Sequence, residues 1–179
     1  MAFRQYIQVV MILPKRLGDS RGHFMETFRQ ALFAENVADF EFVQENQSFS
    51  AQAGTVRGLH FQMAPKAQGK LLRCIAGGLL DVALDIRRGS PTYGQHVAIE
   101  LTAENGKQLW VPPGFAHGFC TLVPDTEVSY KLTDYYSAEY DRGVLWSDPA
   151  LKIDWPVDAA KAVVSDKDKR HPTFSELRD

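Results

Sequence analysis

The chain has 179 residues, of which 45% are hydrophobic and 23% charged, a composition typical of a soluble globular protein. At this length we expect one domain, over residues 1–179, with a substantial buried core. The formal net charge of −2 and the absence of a basic cluster exclude a nucleic-acid-binding surface from our expectations.

The first predicted element is a β-strand in the short apolar run near the N-terminus, MAFRQYIQVVMILP. This run is too short to span a bilayer and has no small-residue cleavage pattern. Charged residues return at once with Lys15 and Arg16. We therefore expect no membrane attachment and a cytoplasmic protein.

Strands dominate the rest of the chain. A helix of about two turns is predicted over residues 28–34, and a short one over 158–164. Turns rich in glycine and proline recur at about ten-residue intervals, the pattern of an antiparallel sandwich or barrel. Between the turns lie the predicted strands 79–87, 95–101, 108–111, 119–123 and 127–133. We expect the polar tail after Asp168 to be peripheral, and Cys74 and Cys120 to be buried thiols.

Two stretches resemble the paired motifs of the cupin jelly roll. Gly106 to His117 fits G-x5-P-x-G-x2-H, whereas the first motif keeps only Gly54 and His60. Gln62 stands where metal-binding cupins have a second histidine, and no glutamate follows at the expected place. A divalent transition metal needs three or four imidazole or carboxylate ligands. We therefore expect a barrel without a metal or other cofactor, in which His60 is available for proton transfer.

Longer blocks resemble one family of nucleotide-sugar enzymes. They are RGHFMETF (21–28), FVQENQS (42–48), VRGLHFQ (56–62), AQGK (67–70), DIRRGSPTYG (85–94), VPPGFAHGF (111–119), YK (130–131) and DYY (134–136). Together they resemble the dTDP-4-dehydrorhamnose 3,5-epimerase family, in matching order from about residue 3 to Asp168. The resemblance implies a mainly β, homodimeric cupin-type jelly roll that inverts C3 and C5 of dTDP-4-dehydro-6-deoxy-D-glucose, on the route to dTDP-rhamnose for cell-envelope polysaccharide.

The resemblance also implies roles for individual residues. His60 resembles the family's general base, Tyr130 its general acid and Asp168 the carboxylate partner of His60, although Asp166 lies in a similar context. The nucleotide-sugar contacts implied by the resemblance are Arg21, Phe24, Glu26, Gln44, Asn46, Arg57, Lys70, His117 and Tyr136. In the family, part of the N-terminal segment crosses to the partner subunit, so residues 21–26 are expected to serve the neighbouring site.

The chemistry is consistent with these residues. A 4-keto group acidifies the hydrogens at C3 and C5, and an imidazole suits their abstraction. Lys70 is the candidate donor to the enolate oxygen that develops, and Tyr130 is in phase with the apolar face of its strand. Strand alternation places Arg57 and His60 on opposite faces, so we predict a bulge at Gly58 that lets both reach one ligand.

Other functions remain open on the sequence alone. One is a relative that inverts only C3 or only C5, or acts on another nucleotide sugar. Another is a noncatalytic sugar-binding cupin, in which loss of the base would be tolerated. A metal-dependent cupin enzyme is disfavoured by Gln62.

Overall fold

The computed structural model describes residues 1–177 and consists mainly of antiparallel β-strands. The last two residues of the domain predicted from the sequence lie outside the described residues. The strands are β1 (Ala2–Tyr6), β2 (Val9–Leu13), β3 (Arg16–Asp19), β4 (Gly22–Met25), β5 (Gln44–Ser50), β6 (Thr55–Gln62), β7 (Lys70–Ala76), β8 (Gly78–Asp85), β9 (His96–Thr102), β10 (Gln108–Val111), β11 (Phe115–Thr121), β12 (Thr126–Leu132), β13 (Asp141–Gly143) and β14 (Val163–Val164). Residues 1–177 contain one α-helix, α1 (Gln30–Asn36), and three 3-10 helices, at Pro149–Leu151, Asp168–Arg170 and Phe174–Glu176.

Two six-stranded sheets face each other as a cupin-type jelly roll. The first sheet has the strand order β1-β2-β10-β7-β12-β5, and the second has the order β13-β6-β11-β8-β9 with β14 added beside β6. A separate two-stranded hairpin, β3–β4, stands apart from both. The fold class predicted from the sequence is therefore confirmed, and none of the helices within residues 1–177 is long and apolar enough to cross a bilayer.

The main core fills the space between the two sheets. Val9, Leu72, Leu109 and Val128 come from the first sheet and pack with residues of the second such as Phe119, all at most 4% exposed. Because Phe119 and the half-buried Tyr130 belong to this cluster and also line a cavity, they mark the boundary at which the core ends and the cavity begins.

Smaller apolar clusters cover the outer faces of both sheets. On the first sheet, Phe33 of α1 packs edge-on against Trp110, with ring centroids 5.0 Å apart. On the second sheet, Phe174 and Leu177 of the C-terminal segment pack over Leu59 and Leu84. The tail after Asp168 therefore lies at the periphery of the barrel, and these two apolar side chains attach it to the outer face.

Two element predictions need correction. The N-terminal apolar run forms a hairpin, β1–β2, because Ile7 takes a left-handed turn conformation with φ of 58°. Residues 158–164 form a turn followed by β14 rather than a helix, because Val163 and Val164 pair in parallel with Thr55 and Val56. The predicted α1 and the strands from residue 79 onward are present, with ends shifted by up to four residues.

Candidate active site

A cavity of about 510 Å³ opens between the two sheets. Strands of the second sheet contribute Arg57, His60, His117 and Phe119, while Ser48, Lys70 and Tyr130 come from the first sheet. Residues 163–165, Lys167 and Asp168 close one side. The cavity therefore has titratable groups on two facing walls.

His60 and Asp168 form a hydrogen-bonded pair on one wall. Nε2 of His60 lies 2.6 Å from Oδ1 of Asp168, and the backbone N–H of Gly58 donates to Oδ2 at 3.1 Å. Burial alone would raise the pKa of Asp168, but the hydrogen bond and charge of His60 and the Gly58 N–H outweigh it, so this pKa lies below its ordinary value. The carboxylate is thus ionised and fixes the imidazole, leaving Nδ1 with the lone pair.

Local structure explains how Asp168 reaches His60. Pairing of β14 with β6 brings the following turn to the middle of β6. There the hydroxyl of Ser165 accepts a hydrogen bond from the backbone N–H of Asp168 at 3.1 Å. Asp168 is the first residue of a 3-10 helix. Asp166 instead points outward with an 89% exposed side chain. Of the two aspartates left open by the sequence, the structure places Asp168 beside His60.

The predicted irregularity at Gly58 is present. On β11, His117 pairs with His60 and Phe119 pairs with Arg57, so β6 has one extra residue between those two pairs. Gly58 has a φ of 130°, and a Cβ there would lie 2.5 Å from the Cα of Gly118, so only glycine fits. The bulge lets both Arg57 and His60 line the cavity, and Arg57 is steadied there by the carbonyl of Phe49 at 2.9 Å.

Lys70 crosses the space between the sheets. Its Nζ donates to the carbonyl oxygen of His60 at 3.2 Å. Burial lowers the pKa of Lys70 to about 8, although the carboxylates of Asp141 and Asp81 partly oppose this. The ammonium is therefore still charged at neutral pH and is buried, where a positive donor is most effective.

His117 forms a second histidine–aspartate pair. Its Nε2 lies 2.8 Å from Oδ1 of Asp81, and both side chains are buried. Burial lowers the pKa of His117 more than Asp81 raises it, and Lys70 and His60 lower it further. His117 is therefore a neutral imidazole that lines the cavity at neutral pH.

A smaller cavity of about 200 Å³ adjoins the first and shares His60, Lys70 and Tyr130 with it. Its other lining residues include Asn46 and Tyr136, which the sequence suggested as nucleotide-sugar contacts. Asp141 and Lys167 also line it. Gln44 is hydrogen bonded to both Asn46 and Tyr136. Its Nε2 donates to Oδ1 of Asn46 at 3.0 Å, and its Oε1 accepts a hydrogen bond from the backbone N–H of Tyr136 at 3.0 Å.

Sequence reasoning missed three residues in this region. Asp141 accepts hydrogen bonds from the Tyr136 hydroxyl and the Lys167 ammonium, which forms a charged cluster at the mouth of the cavity. His171, to which no role was given, is half-buried beside Asp168. The sequence D-K-R-H, which starts at Asp168, could have indicated that His171 lies beside Asp168, because residues i and i+3 lie on one side of a helical turn.

The predicted contacts at residues 21–26 are not in this cavity. Arg21 forms an ion pair with Asp19 within the β3–β4 hairpin, and Glu26 pairs with Arg29. Phe24 is 69% exposed at the same hairpin. Within the single chain these three side chains therefore lie apart from His60 and Tyr130.

The positions that hold the metal in metal-binding cupins are occupied here by His60, Gln62 and His117, and we call them the former cupin site. Their donor atoms do not suit a metal. His60 and His117 are each hydrogen bonded to a separate aspartate, and the ammonium of Lys70 reaches the carbonyl of His60 from the facing sheet. The amide of Gln62 is fully used by the carbonyls of Lys66 and Tyr135 and by the N–H of Ser137. Only two imidazoles remain for an ion that needs more ligands, so a resident metal does not fit here.

Comparison with known proteins gives one consistent result. The family model described as dTDP-4-dehydrorhamnose 3,5-epimerase matches residues 5–176. A Sinorhizobium fredii protein named dTDP-4-dehydrorhamnose 3,5-epimerase is 58% identical over 170 residues, covering 95% of this chain and 87% of the relative.

Solved structures agree with that match. A Bacillus anthracis dTDP-4-dehydrorhamnose 3,5-epimerase with TDP and PPi bound has a TM-score of 0.89 at 48% identity, covering 92% of this chain and 93% of the other. A Legionella pneumophila dTDP-6-deoxy-D-glucose-3,5-epimerase in complex with dTDP-4-keto-L-rhamnose has a TM-score of 0.92 at 42% identity, covering 98% and 92%.

Proposed function

The chain belongs to the dTDP-4-dehydrorhamnose 3,5-epimerase family, and from this premise we propose that it inverts C3 and C5 of dTDP-4-dehydro-6-deoxy-D-glucose to give dTDP-4-dehydro-L-rhamnose. One observation supports the proposal above all others. A histidine backed by a buried carboxylate lies on one wall of the cavity, and a tyrosine and a lysine lie on the facing wall.

His60 acts as the base in this proposal. It removes the proton from C3 or C5, and Asp168 stabilises the imidazolium that forms. The electron pair left on carbon moves into an enolate, whose charge develops on the C4 oxygen. Lys70 donates to that oxygen from a buried position, which is where preorganised donors contribute most.

Tyr130 completes the inversion. Because it lies on β12 of the first sheet and His60 on β6 of the second, the two approach a bound ring from opposite sides. A proton that leaves toward His60 is thus replaced from the other face by the Tyr130 hydroxyl, and the carbon is inverted.

The remaining cavity residues suit a nucleoside diphosphate. Arg57 offers a guanidinium for bidentate contact with pyrophosphate oxygens. We assign Arg21, Phe24 and Glu26 to the site of a partner subunit in a homodimer, which is supported by their position on a hairpin with exposed apolar side chains.

We place the reaction in the cytoplasm. The two cysteines, Cys74 and Cys120, are both buried and unpaired, which is compatible with a reducing compartment.

Deuterium incorporation tests the function. The protein is incubated with dTDP-4-dehydro-6-deoxy-D-glucose in deuterated water, and NMR follows exchange and configuration at C3 and C5. Deuterium at both carbons with inversion supports the proposal, and deuterium at one carbon supports a mono-epimerase. Absence of exchange would leave only sugar binding.

Two variants separate the roles in the same assay. His60→Ala should abolish exchange at both carbons, whereas the matched control His96→Ala, on β9, should not. Tyr130→Phe should keep exchange but lose inversion, because the abstracted proton can return only from the His60 side. Normal inversion by Tyr130→Phe would contradict its assignment as the acid.

A further inference from the structure

The side chain of His171 packs against the hydrogen-bonded pair of His60 and Asp168. This side chain is only 10% exposed, and its Nε2 lies 3.5 Å from Oδ1 of Asp168. That nitrogen is buried and has no hydrogen-bond partner among the described residues. The two imidazole rings meet edge to face, with centroids 5.6 Å apart. A buried ring nitrogen without a partner, aimed at a carboxylate, calls for an explanation.

The three side chains offer two imidazoles and a carboxylate, a donor set that suits zinc. One ligand atom from each of His60, Asp168 and His171 lies within 4.8 Å of the other two. With zinc–ligand distances of about 2.0–2.2 Å, ligand atoms around a tetrahedral ion are about 3.3–3.5 Å apart. The His171–Asp168 separation already matches, and the 2.6 Å His60–Asp168 contact must open by less than about 1 Å.

We propose that His60, Asp168 and His171 form an inhibitory site for Zn²⁺. His60 and Asp168 line the cavity, so the fourth coordination position opens toward it, as zinc sites with three protein ligands require. This site is separate from the former cupin site because it uses His171 and not His117, whose Nε2 is held by Asp81.

The inhibition rests on the proposed function. Zn²⁺ takes the lone pair at Nε2 of His60, so the proton now on that nitrogen moves to Nδ1 through solvent. The ring then offers no lone pair to the substrate, and Asp168 no longer stabilises an imidazolium. No redox step and no further reactant is involved.

Direct binding tests the site without reference to activity. Isothermal titration of the metal-free full chain with Zn²⁺ should give one ion per chain, and Co²⁺ should give the intense visible absorption of a four-coordinate ion that Zn²⁺ then displaces. His171→Gln should weaken Zn²⁺ binding by roughly tenfold or more, since even a residue that only orients a ligand is worth about that much. The matched control His96→Gln should bind as the natural protein does.

Activity supplies the second readout. Zn²⁺ should suppress deuterium exchange reversibly with EDTA, and His171→Gln and His171→Phe should keep exchange in EDTA while losing zinc sensitivity. His171→Phe keeps an aromatic ring, slightly larger than imidazole, without a ligand atom, and circular dichroism checks that both variants are folded. Absence of binding by calorimetry and by the Co²⁺ spectrum, or zinc sensitivity in both variants equal to that of the natural protein, would overturn the proposal. If the protein binds Zn²⁺ but exchanges no substrate protons in EDTA, the proposed function fails and the metal site stands.

Discussion

Replacing Asp168 by asparagine removes one charge from a buried position and nearly nothing else. The carboxylate is 3% exposed and is held from two sides, by Nε2 of His60 at 2.6 Å and by the N–H of Gly58 at 3.1 Å. An amide satisfies one of these partners only. If its oxygen faces His60, its NH2 group meets the N–H of Gly58, and two donors oppose each other. If it turns over, the NH2 group donates to His60 and forces the ring proton onto Nδ1, which is the wrong tautomer for a base.

The expected fall in kcat follows from the hydrogen bond that Asp168→Asn removes. A hydrogen bond to a charged group contributes about 1.5–3 kcal/mol. Each 1.36 kcal/mol on the barrier is about tenfold in rate, so loss of imidazolium stabilisation alone should lower kcat by about 10- to 150-fold. In the orientation whose NH2 group faces His60, the wrong tautomer adds to this loss. In the other orientation the Gly58 N–H is left unpaired, which should instead reduce the free energy of unfolding by about 1–3 kcal/mol.

The assay compares two asparagine variants. Asp168→Asn and Asp166→Asn are measured for initial rates of deuterium exchange and for unfolding in urea. Asp166 is the matched control, because its side chain is 89% exposed and forms an ion pair with the exposed Lys169, at 3.5 Å. Its variant should stay within about twofold of the natural protein, as surface substitutions usually do. A kcat for Asp168→Asn within twofold of the natural value, or equal losses in the two variants, would refute the reasoning.

Two further predictions concern Lys70 and Gly58. Because burial lowers the pKa of Lys70 to about 8, its ammonium loses a proton as pH rises through that value, and kcat/KM should fall on the alkaline side. Lys70→Met should be slower by about 3–4 kcal/mol of barrier and should lose this alkaline decline in a pH–rate profile; an unchanged decline would assign it to another group. Gly58→Ala should lower the urea-unfolding free energy by about 1–3 kcal/mol more than Gly22→Ala, since both glycines have φ near 130° but only at Gly58 would a Cβ meet backbone, at Gly118. Equal losses would show that backbone strain alone matters.

Much of the barrel could be predicted from the sequence. Strands from residue 79 onward are delimited by turns, and the sequences of β8 and β12 also alternate, so local information was enough to place them. Although the sequence of β8 alternates between polar and apolar residues, both faces of this strand are buried. Asp81 lies on the inward face and binds His117, so a strand position that reads as solvent-facing belongs to the interior of the site.

The parts that could not be predicted depend on where distant segments meet. Residues 158–164 have helical propensity, but pairing with β6 offers Val163 and Val164 a better arrangement than an isolated short helix. That same pairing places Asp168 and His171 behind His60. Asp141 and Lys167 meet at the cavity mouth for the same reason, since β13 and β14 flank β6 from separate parts of the chain. Sequence spacing carries no information about such contacts.

The two histidine–aspartate pairs show that residue type alone does not assign a base. His60 and His117 lie directly opposite each other on β6 and β11, and each has Nε2 within 2.8 Å of a buried carboxylate. Their exposure differs, because the side chain of His60 is 32% exposed and that of His117 only 7%. A base must accept a proton and become charged, which burial disfavours. In the proposed mechanism the more exposed His60 is therefore the base, whereas burial lowers the pKa of His117, which stays neutral and is assigned to positioning the substrate. The bulge at Gly58 supports this arrangement in two ways. It gives β6 the extra residue that lets Arg57 as well as His60 line the cavity, and the Gly58 N–H holds the Asp168 carboxylate beside His60.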